Sequence, residues 1–297
     1  MPKTSTAAPV PVAQPSTGTA EHMSKPLARA RSQRLLVTLF GDYWDRARGP
    51  IPSAGLVRVL EEFGIAPANA RAALSRMTQR GALARTKDGR RTSYAPTEST
   101  LRQLERGAHR IFASGNGAEW DGTWTLIAFS LPLEAGDLRR LLRARLRWLT
   151  FWPIYDATWV TPHDRLDAAC EQLAELNITD AVVLRTTDVR LLAQGRARLE
   201  DAWQLGHLAD AYRDYLNRFE PLAELVAARA VTPTEALVGR GELVDEWRRL
   251  VRDDPDLPDV FLPAGFPRAR ARDLFLTTYR ALERPARARF DELTREA

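Results

Sequence analysis

Residues 71–91 read RAALSRMTQRGALARTKDGRR, a short helix with a polar, basic face that is followed by a glycine and a basic hairpin. A helical stretch at residues 53–63 and the tight Gly64-Ile65 turn come directly before it. Two helices joined by a tight turn and followed by a two-stranded wing are typical of a winged helix-turn-helix. In that fold the second helix enters the DNA major groove, and the wing lies along the flanking backbone.

The second helix of this segment is predicted to begin at Pro67, a favourable first-turn residue, and to stop at Gly81. Helical periodicity turns its small and apolar residues toward the core, namely Ala70, Ala73, Leu74 and Met77. The polar side chains then face outward, where they can reach base edges. The residues that we expect to bind DNA are Asn69, Arg71, Ser75, Arg76 and Gln79 on the helix and Lys87, Arg90 and Arg91 in the wing. A helical hairpin with a solvated basic face is the alternative interpretation.

The wing is predicted as two strands, residues 83–86 and 92–95, around a tip that contains Asp88-Gly89. Asp-Gly is a favoured pair for a tight hairpin turn. Because Arg90 and Arg91 follow this turn, we expect them to contact phosphates or the minor groove.

Positive charge is concentrated in the same quarter of the chain. Residues 24–98 contain 14 lysines and arginines but only six aspartates and glutamates, which gives a net charge of +8. Residues 99–297 contain 28 basic and 31 acidic side chains, a net charge of −3. A block of this sign attracts phosphate backbones through its field and through counterion release. A solubilising surface is the alternative reading of the same charge.

The composition sets limits on the class of protein. At 297 residues the chain is long enough for two or three domains, and no apolar run approaches the ~18–20 residues that a membrane span needs. Residues 1–24, rich in Pro, Thr, Ser and Ala, lack the apolar middle of a signal peptide and are predicted to form a disordered tail. The one cysteine, Cys170, excludes an internal disulfide and favours a cytoplasmic location.

A second unit follows a predicted linker helix at residues 99–114 and the Gly115-Asn116-Gly117 segment. Its predicted elements are a strand at 124–129, a helix at 137–148, two short strands within 150–161, a helix at 163–176 and a strand at 181–185. The order β-α-β-β-α-β is that of a ferredoxin-like domain. Beyond residue 199 the pattern is helical, with helices predicted at 201–219, 222–229, 234–253 and 268–282.

The predicted fold is therefore α+β with three domains. An N-terminal winged helix-turn-helix occupies residues 25–98, and a linker helix occupies 99–118. A central ferredoxin-like (βαββαβ) domain occupies 119–195, and an α-helical C-terminal domain occupies 196–297.

The helix at residues 137–148 carries a row of arginines that could hold a phosphate or a CoA moiety, because guanidinium groups bind phosphates in a bidentate way. The candidate effector-binding residues are Arg139, Arg140, Arg143, Arg147 and Trp152. Such a face is more often solvated or paired with acidic neighbours. The five tryptophans between residues 120 and 159 are interpreted first as core residues and second as the lining of an aromatic pocket.

The sequence contains few features that are typical of an enzyme. It contains no Gly-x-Ser-x-Gly elbow, no Walker loop and no dinucleotide-binding glycine motif. The four histidines, at 22, 109, 163 and 207, lack metal-ligand spacing. Cys170 lies on an amphipathic helix, where a small buried residue is expected rather than a nucleophile. We predict no catalytic residue, no metal and no cofactor, and therefore no enzyme.

Several motifs distributed along the chain are those of one family. They are Leu39-Phe40-Gly41-Asp42-Tyr43, Phe63-Gly64-Ile65, residues 71–77, residues 120–126, Glu246-Trp247-Arg248-Arg249 and Asp254-Pro255-Asp256-Leu257-Pro258. With these motifs the chain resembles the PaaX family of transcriptional repressors, which control phenylacetate catabolic operons. The resemblance runs from about residue 27 to residue 282 and touches all three predicted units.

The resemblance implies a homodimeric repressor that binds a palindromic operator on double-stranded DNA and is released by an aryl-CoA thioester such as phenylacetyl-CoA. The central unit is also similar to ferredoxin-like, CRISPR-associated, metal-dependent nucleases. Those enzymes place an acidic metal ligand at the end of their first strand, where this chain has Phe129-Ser130-Leu131. The sequence therefore predicts a cytoplasmic DNA-binding regulator that makes no membrane contact. The alternatives are a nuclease and a ligand-insensitive architectural DNA-binding protein.

Overall fold

The computed structural model describes residues 25–113, 120–190 and 192–295. The predicted tail at residues 1–24 and the Gly115-Asn116-Gly117 segment lie outside the described residues. The described part is a mixed α+β structure with two antiparallel sheets. No helix in this part is both long enough and apolar enough to cross a membrane.

The first unit contains four helices and a small sheet. Its elements are α1 (Lys25–Tyr43), β1 (Ile51–Pro52), α2 (Ser53–Glu62), α3 (Pro67–Gln79), β2 (Leu83–Asp88), β3 (Arg91–Pro96) and α4 (Glu98–Ala113). The strands pair in the order β1-β3-β2. Gly64 and Gly81, which flank α3, have φ angles of 72° and 71°, a left-handed conformation that favours glycine. These turns fix where α3 begins and ends, close to the predicted bounds.

The middle unit is built around a four-stranded sheet. Its elements are β4 (Trp124–Phe129), α5 (Gly136–Trp148), β5 (Trp152–Tyr155), β6 (Thr158–Thr161), α6 (Leu166–Glu175) and β7 (Ala181–Thr186). The strands pair in the order β5-β6-β4-β7, and every neighbouring pair is antiparallel. Helices α5 and α6 pack on one face of the sheet, where Ile127, Leu142 and Phe151 are fully buried.

The C-terminal unit is helical, with bounds that differ from the prediction. Its helices are α7 (Ala193–Trp203), α8 (Leu205–Ala227), α9 (Pro233–Asp253), α10 (Arg268–Ala281) and α11 (Glu283–Thr294). The predicted break between residues 219 and 222 was wrong, because α8 continues through Pro221. A proline in a helix removes one main-chain hydrogen bond, and here the buried face of α8 holds the helix together across that position. Helices α7 and α11 were not predicted.

One hydrophobic core joins the first unit to the C-terminal unit. Leu36, Leu60 and Leu74 of the first unit are fully buried in the same cluster as Leu237 of α9. Phe290 of α11 also belongs to this cluster, and its ring stacks on Tyr43 with the ring centroids 4.4 Å apart. The helices that carry the predicted DNA-binding surface are therefore packed directly against the C-terminal helices.

Two glycines allow this close packing. A Cβ atom at Gly55 of α2 would lie 2.8 Å from the Thr294 Cα atom at the end of α11. A Cβ atom at Gly241 of α9 would lie 2.7 Å from the Phe63 ring, which is 3% exposed. Real Cβ contacts do not come this close, so the two units can approach this closely only with glycine at these positions.

Substituting Gly241 tests this packing. We expect Gly241→Ala to lower the free energy of unfolding by about 1–3 kcal/mol, because the buried Phe63 ring must move. The matched control is Gly195→Ala in α7, where a new Cβ would meet no heavy atom within 4 Å. It should leave stability unchanged or raise it by up to about 1 kcal/mol. Urea unfolding of both variants gives the comparison, and equal effects would contradict the close approach.

Candidate nucleic-acid interface

Helix α3 has one buried face and one polar face. Ala70, Ala73 and Leu74 are completely buried and Met77 is 5% exposed, which confirms the predicted core face. Of the predicted contact residues on this helix, Asn69, Arg71, Ser75 and Gln79 are exposed and Arg76 is half-buried. The side chains chosen from periodicity therefore share one accessible surface.

The wing is a tight antiparallel hairpin. Strands β2 and β3 pair from Leu83 opposite Pro96 to Asp88 opposite Arg91, which leaves Gly89 and Arg90 as the two loop residues. Gly89 has a φ angle of 55°, as the first residue of a type II′ turn requires. Because side chains alternate between the faces of a strand pair, Lys87 and Arg91 lie on opposite faces of the wing. Lys87, Arg90 and Arg91 are all exposed.

Several arginines of the first unit are held by partners elsewhere in the protein. Arg31 pairs with Glu242 at 3.1 Å and Arg34 pairs with Asp245 at 3.3 Å, both on α9. Further contacts to the C-terminal unit join Arg48 to Asp291 at 2.8 Å and Arg58 Nε to the Leu293 carbonyl oxygen at 2.9 Å. Part of the positive charge that was counted in the sequence therefore stabilises the contact between units and is not available for nucleic acid.

The remaining positive charge lies on α3 and the wing. Within the described ranges, no carboxylate lies within 4.0 Å of the cationic groups of Arg71, Arg76, Arg85, Lys87 or Arg90. Four of these side chains are exposed, and the fifth, Arg76, is half-buried. The sequence reasoning missed Arg85, which lies on the same strand as Lys87. Side chains alternate between the faces of a strand, so this pattern places Arg85 on the same face as the buried Leu83 and does not show that it is accessible. These five cations of the first unit lie on α3 and on the wing next to it, and thus form one surface around α3.

A buried ion pair holds α1 against α9. Arg240 Nε donates to the Asp42 Oδ2 atom at 3.2 Å, and the Tyr279 hydroxyl donates to the Asp42 Oδ1 atom at 2.9 Å. The Arg240 guanidinium also lies over the Tyr279 ring, 3.6 Å from its centroid, and donates to the Tyr279 carbonyl oxygen. Burial raises the pKa of Asp42 above its usual value, and the Arg240 charge opposes this rise. Burial likewise raises the pKa of Tyr279.

The predicted effector residues on α5 do not converge on one site. Arg139 donates to the carbonyl oxygens of Leu131 and Pro132, and Arg140 pairs with Asp137 on its own helix. Arg143 pairs with Asp156 at 2.7 Å, and the Arg147 guanidinium lies 5.2 Å from the centroid of the Trp152 ring. Trp152 lines a cavity. Such local pairing is common for an arginine-rich helix face.

That cavity lies between the middle unit and the C-terminal unit. Its volume is about 450 Å³, and its aromatic lining residues are Trp152, Trp203, Tyr215 and Phe219. The indole nitrogens of Trp152 and Trp203 are both buried without a hydrogen-bond partner among the described residues. The sequence reasoning missed Trp203 although it placed this residue in a predicted helix at 201–219, because no local pattern shows that Trp203 and Trp152 line the same cavity.

Other sequence predictions have mixed outcomes. The expectation of a buried Cys170 was wrong, because its side chain is exposed on the outer face of α6. Ser130 follows β4, and its main-chain N–H donates to the Asp180 carbonyl oxygen at 2.9 Å. In the part of the chain that the structure describes, no three His, Cys, Asp or Glu side chains are grouped to hold a metal. His207 is exposed, and the His109 side chain lies outside the described residues.

Comparisons with known proteins cover the same three parts of the chain. The profile described as "PaaX-like protein" matches residues 29–100, "PaaX protein central Cas2-like domain" matches residues 117–199, and "PaaX-like protein C-terminal domain" matches residues 203–292. The chain is 30% identical over 250 residues to the protein "Transcriptional repressor PaaX" of Escherichia coli (strain K12), covering 82% of this chain and 78% of that one.

A solved structure resembles the whole arrangement. The structure titled "Uncharacterized protein Rv0674 from Mycobacterium tuberculosis" is similar with a TM-score of 0.59 and 22% identity. The similarity covers 90% of this chain and 98% of that one. At this identity the likeness concerns the fold alone.

Removal of the buried carboxylate tests the role of the Asp42–Arg240 pair. The side chain of Arg240 is 5% exposed, so Asp42→Ala leaves a buried charge without its partner. We expect a loss of about 3–5 kcal/mol in the free energy of unfolding. Glu98→Ala, which removes the partner of the exposed Arg46, serves as the control and should change stability little. If both variants unfold at the same urea concentration, the buried pair does not hold the units together.

Proposed function

Because the chain belongs to the PaaX family, we propose that it is a transcriptional repressor that binds double-stranded operator DNA in the cytoplasm. The first unit acts as a winged helix-turn-helix, with α3 in the major groove and the wing on the flanking backbone. The protein acts as a homodimer on a palindromic operator, so that each α3 reads one half-site. The single observation that carries this proposal is the surface of cations on α3 and the wing that have no carboxylate partner among the described residues, namely Arg71, Arg76, Arg85, Lys87 and Arg90.

The contacts divide into two kinds. Arg71, Ser75, Arg76 and Gln79 supply base contacts from α3, while Asn69 and the wing residues hold the backbone. The small Ala72 lies between them on α3 and allows the helix to approach the base edges. Arginines that pair with α9 and α11 take no part in DNA binding in this proposal, because their charge is already compensated.

We further propose that an aryl-CoA thioester such as phenylacetyl-CoA releases the protein from an operator of an aromatic-acid catabolic operon. It binds in the cavity between the middle and C-terminal units that Trp152 and Trp203 line. Support comes from the aromatic lining and from the two buried indole N–H groups without partners, because a carbonyl group could accept their hydrogen bonds. Binding favours a dimer whose two recognition helices no longer match the half-site spacing.

The middle unit has a regulatory, non-catalytic role in this proposal. Support comes from Ser130, which follows the first strand where the similar nucleases carry an acidic ligand. Incubation of the protein with Mg²⁺ or Mn²⁺ and labelled DNA or RNA tests this role. Intact nucleic acid is the expected result, and metal-dependent cleavage would contradict the proposal.

Two arginine variants test the assignment of base and phosphate contacts. We expect Arg76→Ala to weaken operator binding by about 1–3 kcal/mol and to relax the preference at one base pair. Arg90→Ala should weaken binding to all sequences alike and reduce the salt dependence by about one phosphate contact.

The measurement is DNA selection from a random pool, followed by shift assays on the selected site and its single-base variants. Arg46→Ala is the control, because Arg46 pairs with Glu98 and should leave DNA affinity unchanged. Equal, sequence-independent losses from Arg76→Ala and Arg90→Ala would overturn the base contact, and urea unfolding checks that the half-buried Arg76 is not merely structural.

The effector cavity is tested by removing one indole N–H group. Trp152→Phe keeps an aromatic ring but loses the donor, so we expect a roughly tenfold rise in the aryl-CoA concentration that releases half of the DNA. Trp148→Phe is the matched control, because Trp148 is 64% exposed and lies outside the cavity. Release that is equally affected in both variants, or in neither, would contradict the assignment.

A further inference from the structure

A second cavity lies at the junction between the DNA-binding unit and the C-terminal unit. Its volume is about 390 Å³. One wall comes from α1 and α4, and the opposite wall comes from α9 and α10. The apolar residues that line it include Val37, Phe40, Leu101, Leu104, Phe112 and Val244. Cavities of this size and apolar character commonly bind small organic molecules.

Among the described charged groups that line this cavity, the Arg248 guanidinium makes no hydrogen bond. Both Asp42 carboxylate oxygens are already bonded, by Arg240 and by the Tyr279 hydroxyl. Glu105 is exposed at the α4 side. Arg248 of α9 lines the cavity and has neither a carboxylate within 4.0 Å nor a hydrogen bond to any described residue. Asp245, one turn earlier on α9, is paired with Arg34.

The Arg248 guanidinium therefore has hydrogen-bond donors that no described protein group uses. The Arg248 side chain is half-buried in the cavity wall. Burial lowers the pKa of its guanidinium below the usual value, and the Asp245 and Asp42 charges oppose this change. A guanidinium that makes no hydrogen bond to the protein and lines an apolar cavity favours a carboxylate, which accepts two parallel hydrogen bonds. The apolar walls in turn favour a ligand whose remainder is a ring or a short aliphatic chain.

We propose that this cavity binds a small apolar monocarboxylate, aromatic or short aliphatic, with its carboxylate on Arg248 and its apolar body between Leu104 and Phe112. The single Arg248 guanidinium can bind one carboxylate, whereas a CoA thioester carries several negative charges. The site therefore differs in ligand class and in position from the cavity that contains Trp152. Binding of the carboxylate does not depend on the proposed function.

Because of where the cavity lies, a bound ligand can affect the position of α3. A bound molecule sets the separation between α1 and α9, and α1 packs against α3 in the shared core. A ligand that binds one arrangement of these helices more tightly shifts the protein toward it. This coupling to DNA rests on the proposed function, and it is measured separately from binding.

The binding experiment uses calorimetric titration of the full-length protein with benzoate and hexanoate, and with benzamide and hexanamide as uncharged counterparts. We expect the carboxylates to bind at least tenfold more tightly than the amides. Arg248→Gln should weaken carboxylate binding at least tenfold. Gly107→Leu should also weaken carboxylate binding, because Gly107 lines the cavity and a leucine side chain there would occupy part of its volume. The new Cβ atom itself would meet no heavy atom within 4 Å, so the substitution causes no clash at that atom.

The matched control is Arg252→Gln, one turn further along α9, where the arginine pairs with Asp253 outside the cavity. It should bind carboxylates like the parent protein. The site is overturned if no carboxylate binds at millimolar concentration, if amides bind equally well, or if neither Arg248→Gln nor Gly107→Leu weakens binding.

Shift assays on the selected DNA, with and without benzoate, then test the coupling. If benzoate changes the DNA affinity of the parent protein but not that of Arg248→Gln, the coupling between this cavity and α3 is supported. If benzoate leaves the DNA affinity unchanged, the coupling is overturned. Failure of the proposed function is distinguishable, because it would show as absent DNA binding before any ligand is added.

Discussion

The contact between the first unit and the C-terminal unit is the constraint on which the rest of the structure depends. Leucines of α1, α2 and α3 share one core with α9 and α11, and the Asp42–Arg240 pair lies within this contact. A buried ion pair adds little net stability, but breaking it by removing one partner is costly. The pair therefore fixes how α1 sits against α9. The orientation of α3 is thus set by helices that lie more than 150 residues further along the chain.

This arrangement explains why the arginines of the first unit have two different roles. Those on α1 and α2 pair with carboxylates or carbonyl groups of the C-terminal unit. By contrast, Arg71 and Arg76 of α3 and Arg85 and Arg90 of the wing have no carboxylate partner among the described residues. A repressor needs such a division, because the cations that orient the unit must stay in place while others exchange counterions for DNA. Both proposed ligand cavities lie at junctions between units, where a ligand with different affinities for two arrangements can shift the balance between them.

Much of the DNA-binding unit could be predicted from the sequence, because its signals are local. Pro67, Gly81 and the Asp88-Gly89 turn set the bounds of α3 and the wing, and periodicity identified the buried face of α3. The order of the middle-unit elements followed from local patterns as well. The predictions that were wrong or missing depend on tertiary contacts. Pro221 is tolerated inside α8 because that helix is buried along one face. Helix α11 is stabilised by packing on α2 and α9. Charge counting gave the sign of the surface but could not show which arginines have partners. Trp203 was missed because the cavity that it lines with Trp152 brings together residues that lie far apart in the chain.

Hydrogen–deuterium exchange of the protein with and without its selected operator tests the central claim, that the DNA-binding helices and the C-terminal helices form one mechanical unit. On DNA binding, the account predicts slower exchange in α3 and the wing and also in α1, α9 and α11, because these helices share a core. Slower exchange confined to α3 and the wing, with α9 and α11 unchanged, would contradict it.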